Sequence, residues 1–195
     1  MPLVIPDGFA QVTFFMSGAG APTGAACTLG VYNPGDDNAS QIAANVGGAW
    51  EDNIMPEICN DITFTSCRAK RGPTETGAFA DVAFSTAGTL AGACVAPNLA
   101  ILVTLETSLG GRRGRGRFYV PGAQESDVDE AGNLSNTRVG LMNAALAGFQ
   151  GDILTAGYGV VVLHSDGKSA LPSPTSVDQF STATLMATQR RRMRR

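Results

Sequence analysis

Lysine is almost missing from this chain: of 14 basic residues only Lys70 and Lys168 are not arginine. Histidine occurs once, as His164, so no histidine cluster can bind a metal and any triad would need other residue types. Neither G-x-S-x-G nor H-E-x-x-H occurs. The four cysteines, Cys27, Cys59, Cys67 and Cys94, have no C-x-x-C spacing and fit no common zinc pattern, which points to reduced, buried thiols. No stretch approaches 18 apolar residues, and the first residues lack a basic segment followed by an apolar run. A membrane span and a signal peptide are therefore not expected, and synthesis in a cytoplasm is. Charged residues make up only 16% of the chain. A surface so poor in charge is a poor solute as a lone monomer, whereas a surface covered by neighbours needs none.

The 195 residues are enough for one domain that buries its own core, with 44% apolar residues and a high share of glycine, 24 in all. The net charge is −3, but it is unevenly laid out. Arg112, Arg113, Arg115 and Arg117 form one cluster; Arg190, Arg191, Arg192, Arg194 and Arg195 close the chain. The five remaining basic residues, Arg68, Lys70, Arg71, Arg138 and Lys168, stand against 17 acids. The body is thus acidic, with two compact basic handles, a layout suited to head-to-tail contact between copies.

Aromatic and β-branched residues predict strands over 9–16 and 26–32, joined as a hairpin. A helix follows, capped by Asn38 or Ser40, with Ile42, Val46, Ala49, Trp50 and Ile54 on one face and an end at Pro56. Gly47 and Gly48 inside it cost about 1 kcal/mol each relative to alanine, which implies a close neighbour. Residues 62–66 alternate as a half-buried strand. The glycine-rich stretch 72–96 is predicted as an extended arm carrying one short strand at 79–84. The apolar run 99–105 is the strongest core strand; Gly110 and Gly111 turn it and 117–121 returns, which sets the arginine cluster on the hairpin tip and its returning edge. Ser135 caps a second helix with Val139, Met142, Leu146 and Phe149 aligned, and strands at 158–163 and around 177–185 complete the pattern. The fold class is α+β: a mixed or antiparallel sheet with two helices on one face, in a single domain over 1–187, with an arginine-rich tail at 188–195.

Three short motifs resolve to ordinary structure. Gly167-Lys168-Ser169 resembles the end of a phosphate loop, but Val162 occupies the required glycine position and Pro172 interrupts the helix, so a turn is expected. Asp127-x-Asp129 has the start of a calcium loop, but Arg138 stands where its bidentate glutamate belongs. The reading is an acidic turn of Asp127, Asp129 and Glu130 that can receive arginines of another copy. His164 ends an apolar strand in a structural role. The run from Gly111 to Tyr119 is the unusual constellation: glycines allow close approach, guanidinium groups fork onto carboxylate or phosphate, and Tyr119 can stack. It reads as a solvated tip, a protein contact or a nucleic-acid contact. The acidic body favours the protein contact, so the partner-binding residues are Arg112, Arg113, Arg115, Arg117, Tyr119 and the five terminal arginines. No catalytic residue, metal or cofactor is expected.

The run Arg-Gly-Arg-Phe-Tyr-Val-Pro at 115–121, the terminal Thr-Gln-Arg-Arg-Arg at 188–192, and the segment 50–67 together resemble uncharacterised proteins encoded by tailed bacteriophages. The resemblance touches about a third of the chain. It implies a virion structural protein in the tail, the head-tail connector or the capsid, assembled from copies of itself and other virion proteins. Alternatives are a capsid decoration (cement) protein and a nucleic-acid-binding accessory protein using the same arginines. The resemblance supplies no catalytic residues.

Overall fold

The computed structural model describes residues 9–18, 26–33, 35, 37–72, 79–91, 100–109, 112–121, 127, 135–158 and 161–169. Four strands, β1 (Phe9–Gly18), β2 (Ala26–Tyr32), β3 (Ile62–Arg71) and β4 (Ala80–Ala87), form an antiparallel sheet in the order β2-β1-β3-β4. The period-2 pattern of β1 buries Ala10, Val12, Phe14 and Met16 and leaves Gln11, Thr13 and Phe15 half-buried. Bulges between Phe15 and Met16 and between Phe64 and Ser66 keep the pattern aligned across the sheet.

Two helices cover one face of that sheet. Helix α1 (Ala39–Asn53) starts from a capping box in which the Gln41 amide donates to Asn38 Oδ1 (3.0 Å) and the Asn38 amide donates to Gln41 Oε1 (2.9 Å). A single 3-10 turn, Met55–Glu57, holds Pro56 and ends the helical run. Helix α2 (Asn136–Thr155) is capped by Ser135 Oγ, which accepts from the Arg138 amide at 3.1 Å. It stops in a Schellman motif: Tyr158 N donates to Ile153 O and Gly157 N to Leu154 O, each at 2.9 Å, with Gly157 at φ 90°. Where the helices meet the sheet, Trp50 stacks on Phe14 with centroids 4.0 Å apart, and Phe149 meets both rings edge-on at 5.8 and 6.1 Å. All nine predicted core residues of the two helices are buried.

A second antiparallel sheet follows, formed by β5 (Ala100–Leu109), β6 (Arg112–Pro121) and β7 (Val161–Ser169) in the order β6-β5-β7. The α+β class and the antiparallel sheet with two helices on one face are thus present, but the strands divide between two sheets. The short strand predicted at 79–84 within the arm is β4, which extends to Ala87 and is hydrogen-bonded to β3 as part of the first sheet. After it Leu90 bonds back to Ile58 and Asn60, and Gly88 packs directly against the carbonyls of Ile58 and Cys59. Tyr158 is the residue that completes the helix stop, and the strand begins at Val161. Gly167-Lys168-Ser169 lies in β7 rather than in a turn, because its backbone continues the ladder to Ser169 opposite Ile101. Gly110-Gly111, the strand around 177–185, Cys94 and the tail lie outside the described residues.

Candidate interaction surface

The arginine cluster is built into a strand. Arg112 opens β6, and the register sets it opposite Leu109, so the whole cluster lies in the strand rather than at the tip. Strand period then sorts the cluster into two rows. Arg113, Arg115, Arg117 and Tyr119 occupy alternate positions opposite Ser108, Glu106, Thr104 and Leu102. Thr104 and Glu106 are in turn paired with His164 and Val162 of β7. Arg112, Gly114, Gly116 and Phe118 form the other row, opposite Leu109, Thr107, Leu105 and Val103. One face of the sheet thus carries three arginine positions about 6.8 Å apart, with His164 and Tyr119 on the same face. Glu106 is the one carboxylate among these paired positions, directly opposite Arg115. Among the described strands β6 is an outer strand of its sheet, and β2 of the first sheet approaches it.

Of the acidic counter-surface, Asp127 is described and Asp129 and Glu130 are not. Asp127 meets Arg138 of its own chain: Arg138 Nε lies 3.5 Å from Asp127 Oδ2, a charge contact without hydrogen-bond alignment. Arg138 is only 2% exposed. It also donates to Glu57 Oε2 at 2.8 Å and to the Glu57 carbonyl, while the Ser135 amide donates to Asp127 O at 2.7 Å. The node ties the 3-10 turn, the start of α2 and the segment after β6 together. Sequence reasoning missed it, although Arg138 is the only cation in an otherwise apolar helix and stands three residues after the cap. Arg190, Arg191, Arg192, Arg194 and Arg195 lie outside the described residues.

Two further polar clusters come from residues that sequence reasoning did not single out. The Tyr158 hydroxyl donates to Asp37 Oδ2 at 2.6 Å and accepts from Asn45 Nδ2 at 2.9 Å. Burial, and then the bond to Asp37, push its phenol up to about 12. On the solvent side of the first sheet, Arg68 forms a forked pair with Asp81 at 2.6 and 2.8 Å and lies over Phe15 and Phe79. Arg68's hydrogen bonds hold the Asp81 carboxyl below its ordinary value. Cys59 and Cys67 are buried thiols, not joined in a disulfide, and burial, aided by Asp81, raises Cys67 to about 12.

Among the described residues no group of three or more His, Cys, Asp or Glu side chains could hold a metal, and no helix is long and apolar enough to cross a membrane. No protein-family model matches the chain, and no curated protein or solved structure is significantly similar to it.

Proposed function

We propose that this chain is a structural subunit of a virus particle, of the tailed-phage kind, that assembles through contacts with copies of itself and with other virion proteins. The observation that carries the reading is the outer strand β6, with Arg113, Arg115 and Arg117 on one face opposite a single carboxylate. In the register such a row sets three cationic positions against one acidic position, and guanidinium groups on an anionic subunit find counter-charges on the next one. The low overall charge and the phage-like runs at 115–121 and 188–192 support the same reading. Asp127 is already engaged within its own chain, so the receiving carboxylates belong elsewhere in the acidic body, with Asp129 and Glu130 the nearest in sequence.

The test is location and association together. Mass spectrometry of separated head and tail fractions should find the chain in one of them, and sedimentation should find purified protein associating. Replacing Arg113, Arg115 and Arg117 by serine should weaken association by about tenfold or more, an effect that fades as salt is raised. A chain absent from particles and monomeric at high micromolar concentration would overturn the reading. Retention of DNA or RNA that falls steeply with salt, without self-association, would establish the accessory nucleic-acid role instead.

A further inference from the structure

Strand β4 is an outer strand of the first sheet, and among the described residues it pairs with β3 alone. The other outer strand, β2, is approached by β6. An outer strand turns half of its backbone N–H and C=O groups away from the sheet, and proteins guard such a row with lysine, proline or a bulge. Strand β4, Ala-Asp-Val-Ala-Phe-Ser-Thr-Ala, has no lysine or proline, and its single charge, Asp81, is drawn across the sheet to Arg68. The irregularity in its pairing lies against β3, between Phe64 and Ser66, and half-buried and exposed positions alternate without a break over all eight residues. On the half-buried side Phe84 stacks on Phe64 at 4.5 Å and Thr86 donates to Glu51 of α1, yet both keep part of their surface open.

The chain carries the second half of this strand twice. Phe84-Ser85-Thr86-Ala87 recurs as Phe180-Ser181-Thr182-Ala183, and Thr-Leu follows both, as Thr89-Leu90 after Gly88 and as Thr184-Leu185 directly. The second run falls in the strand predicted around 177–185, which lies outside the described residues. The missing glycine decides which place that run can take. A Cβ at Gly88 would lie 2.2 Å from the carbonyl oxygens of Ile58 and Cys59, so a run with threonine there cannot replace β4 and its exit turn. The place beside β4 makes no such demand, because an added strand is held by backbone groups.

We infer that residues 180–183 of one copy add to the outer edge of β4 in the next copy, parallel to it and in register with residues 84–87. The inference rests on the assembly reading above and names one contact of it. Identical segments stacked in register place like beside like: Phe180 beside Phe84 and Thr182 beside Thr86 on the half-buried side, Ser181 beside Ser85 on the solvent side. An antiparallel strand aligned on the same phenylalanines would set Asp178 beside Thr86, whose hydroxyl is bonded to the Glu51 carboxylate, and like charges oppose that arrangement. Residues 170–179 separate the run from the end of β7 and span roughly 33 Å when extended, enough to leave one subunit for another. Each copy then gives one strand and receives one, a head-to-tail contact that closes into a ring or runs on as a filament. Backbone bonds rather than charge hold it, which separates it from the arginine row of β6.

Cysteine pairs test the contact in the full chain. An equimolar mixture of Ser85→Cys and Ser181→Cys chains, oxidised and mapped by peptide, should give 85–181 links between chains, since in-register neighbours hold their Cα atoms about 5 Å apart, within disulfide reach. Gln179→Cys, which an antiparallel strand would set beside residue 85, should link about tenfold less; the opposite preference would overturn the register. A Ser85→Cys/Ser181→Cys double variant that links only within single chains would overturn the exchange between copies, and the absence of 85–181 links would overturn the pairing itself. Adjacent residues of a strand turn their N–H groups to opposite sides, so Ser181→Pro/Thr182→Pro removes at least one ladder donor. It should weaken association by about tenfold or more in sedimentation equilibrium, at low and high salt alike, and leave the melting temperature of the dilute monomer unchanged. Thr182→Val, which keeps its donor, should associate like the parent chain. Proline protein that associates as well as its parent would sink the contact. A chain found in particles but giving no 85–181 link refutes the strand contact and leaves the virion reading standing. A chain that links but is absent from particles does the reverse.

Discussion

Gly47 and Gly48 are adjacent in one helix, and their surroundings give them opposite meanings. A Cβ at Gly47 would lie 2.5 Å from Phe84 Cζ and 2.9 Å from Cys67 Cβ, whereas one at Gly48 would meet nothing within 4 Å. Gly47→Ala should therefore destabilise by about 1–3 kcal/mol through overpacking, and Gly48→Ala should stabilise by about 0.5–1 kcal/mol; urea denaturation of the two variants reads both signs. Tyr158 offers a pH test. Its folded value of about 12 lies above the ordinary 10, so the folded chain holds the phenol proton more tightly than the unfolded one. The stability this contributes is complete below pH 10 and is lost as pH rises through about 12. Denaturation at pH 9 and pH 11 should show the wild type losing more stability than Tyr158→Phe, which has no proton to release.

At the scale of elements, caps and apolar spacing were readable in the residues, and contacts distant in sequence were not. Of the two caps read for α1, Asn38 is the observed one and Ser40 lies inside the helix, while Ser135 caps α2 as read. The run Ala26–Tyr32 has the boundaries its alternation predicts. The strand predicted at 79–84 is present as β4, running on to Ala87; its place in the sheet was not legible, because Ala83, Ser85 and Ala87 face solvent from an outer strand and such small residues give little apolar signal. Two sheets were not separable from one, since alternation states which residues share a face and not which strand lies beside them. The arginine run was legible as a cluster; its division into rows needed the register with β5. The Arg138 node was invisible because Glu57, Asp127 and Arg138 meet only after folding. Arg138→Met should cost about 3 kcal/mol, since it leaves Glu57 and Asp127 without their shared cation. It should also speed hydrogen exchange at the Ser135 amide, which is bonded to Asp127 O. Unchanged stability together with unchanged exchange would mean that the node ties nothing together.

For the molecule as a whole, chain order and spatial order disagree. The first sheet and α1 are complete by residue 91, yet Phe149 of α2 packs edge-on against the stacked rings of Phe14 and Trp50, and Tyr158 bonds Asn45 and Asp37. A fragment ending at residue 91 therefore lacks the cover for its aromatic core and should bind a hydrophobic dye and melt without cooperativity, whereas a fragment ending after residue 169 should not. Synthesis from the N-terminus meets the same order. The ribosome adds residues at about 5–20 per second, so Trp50 and its neighbours wait several seconds for a lid translated dozens of codons later. Over that interval a nascent chain is vulnerable to its neighbours on the same messenger, and a chaperone, or a pause that spaces the ribosomes, would protect the half-finished product.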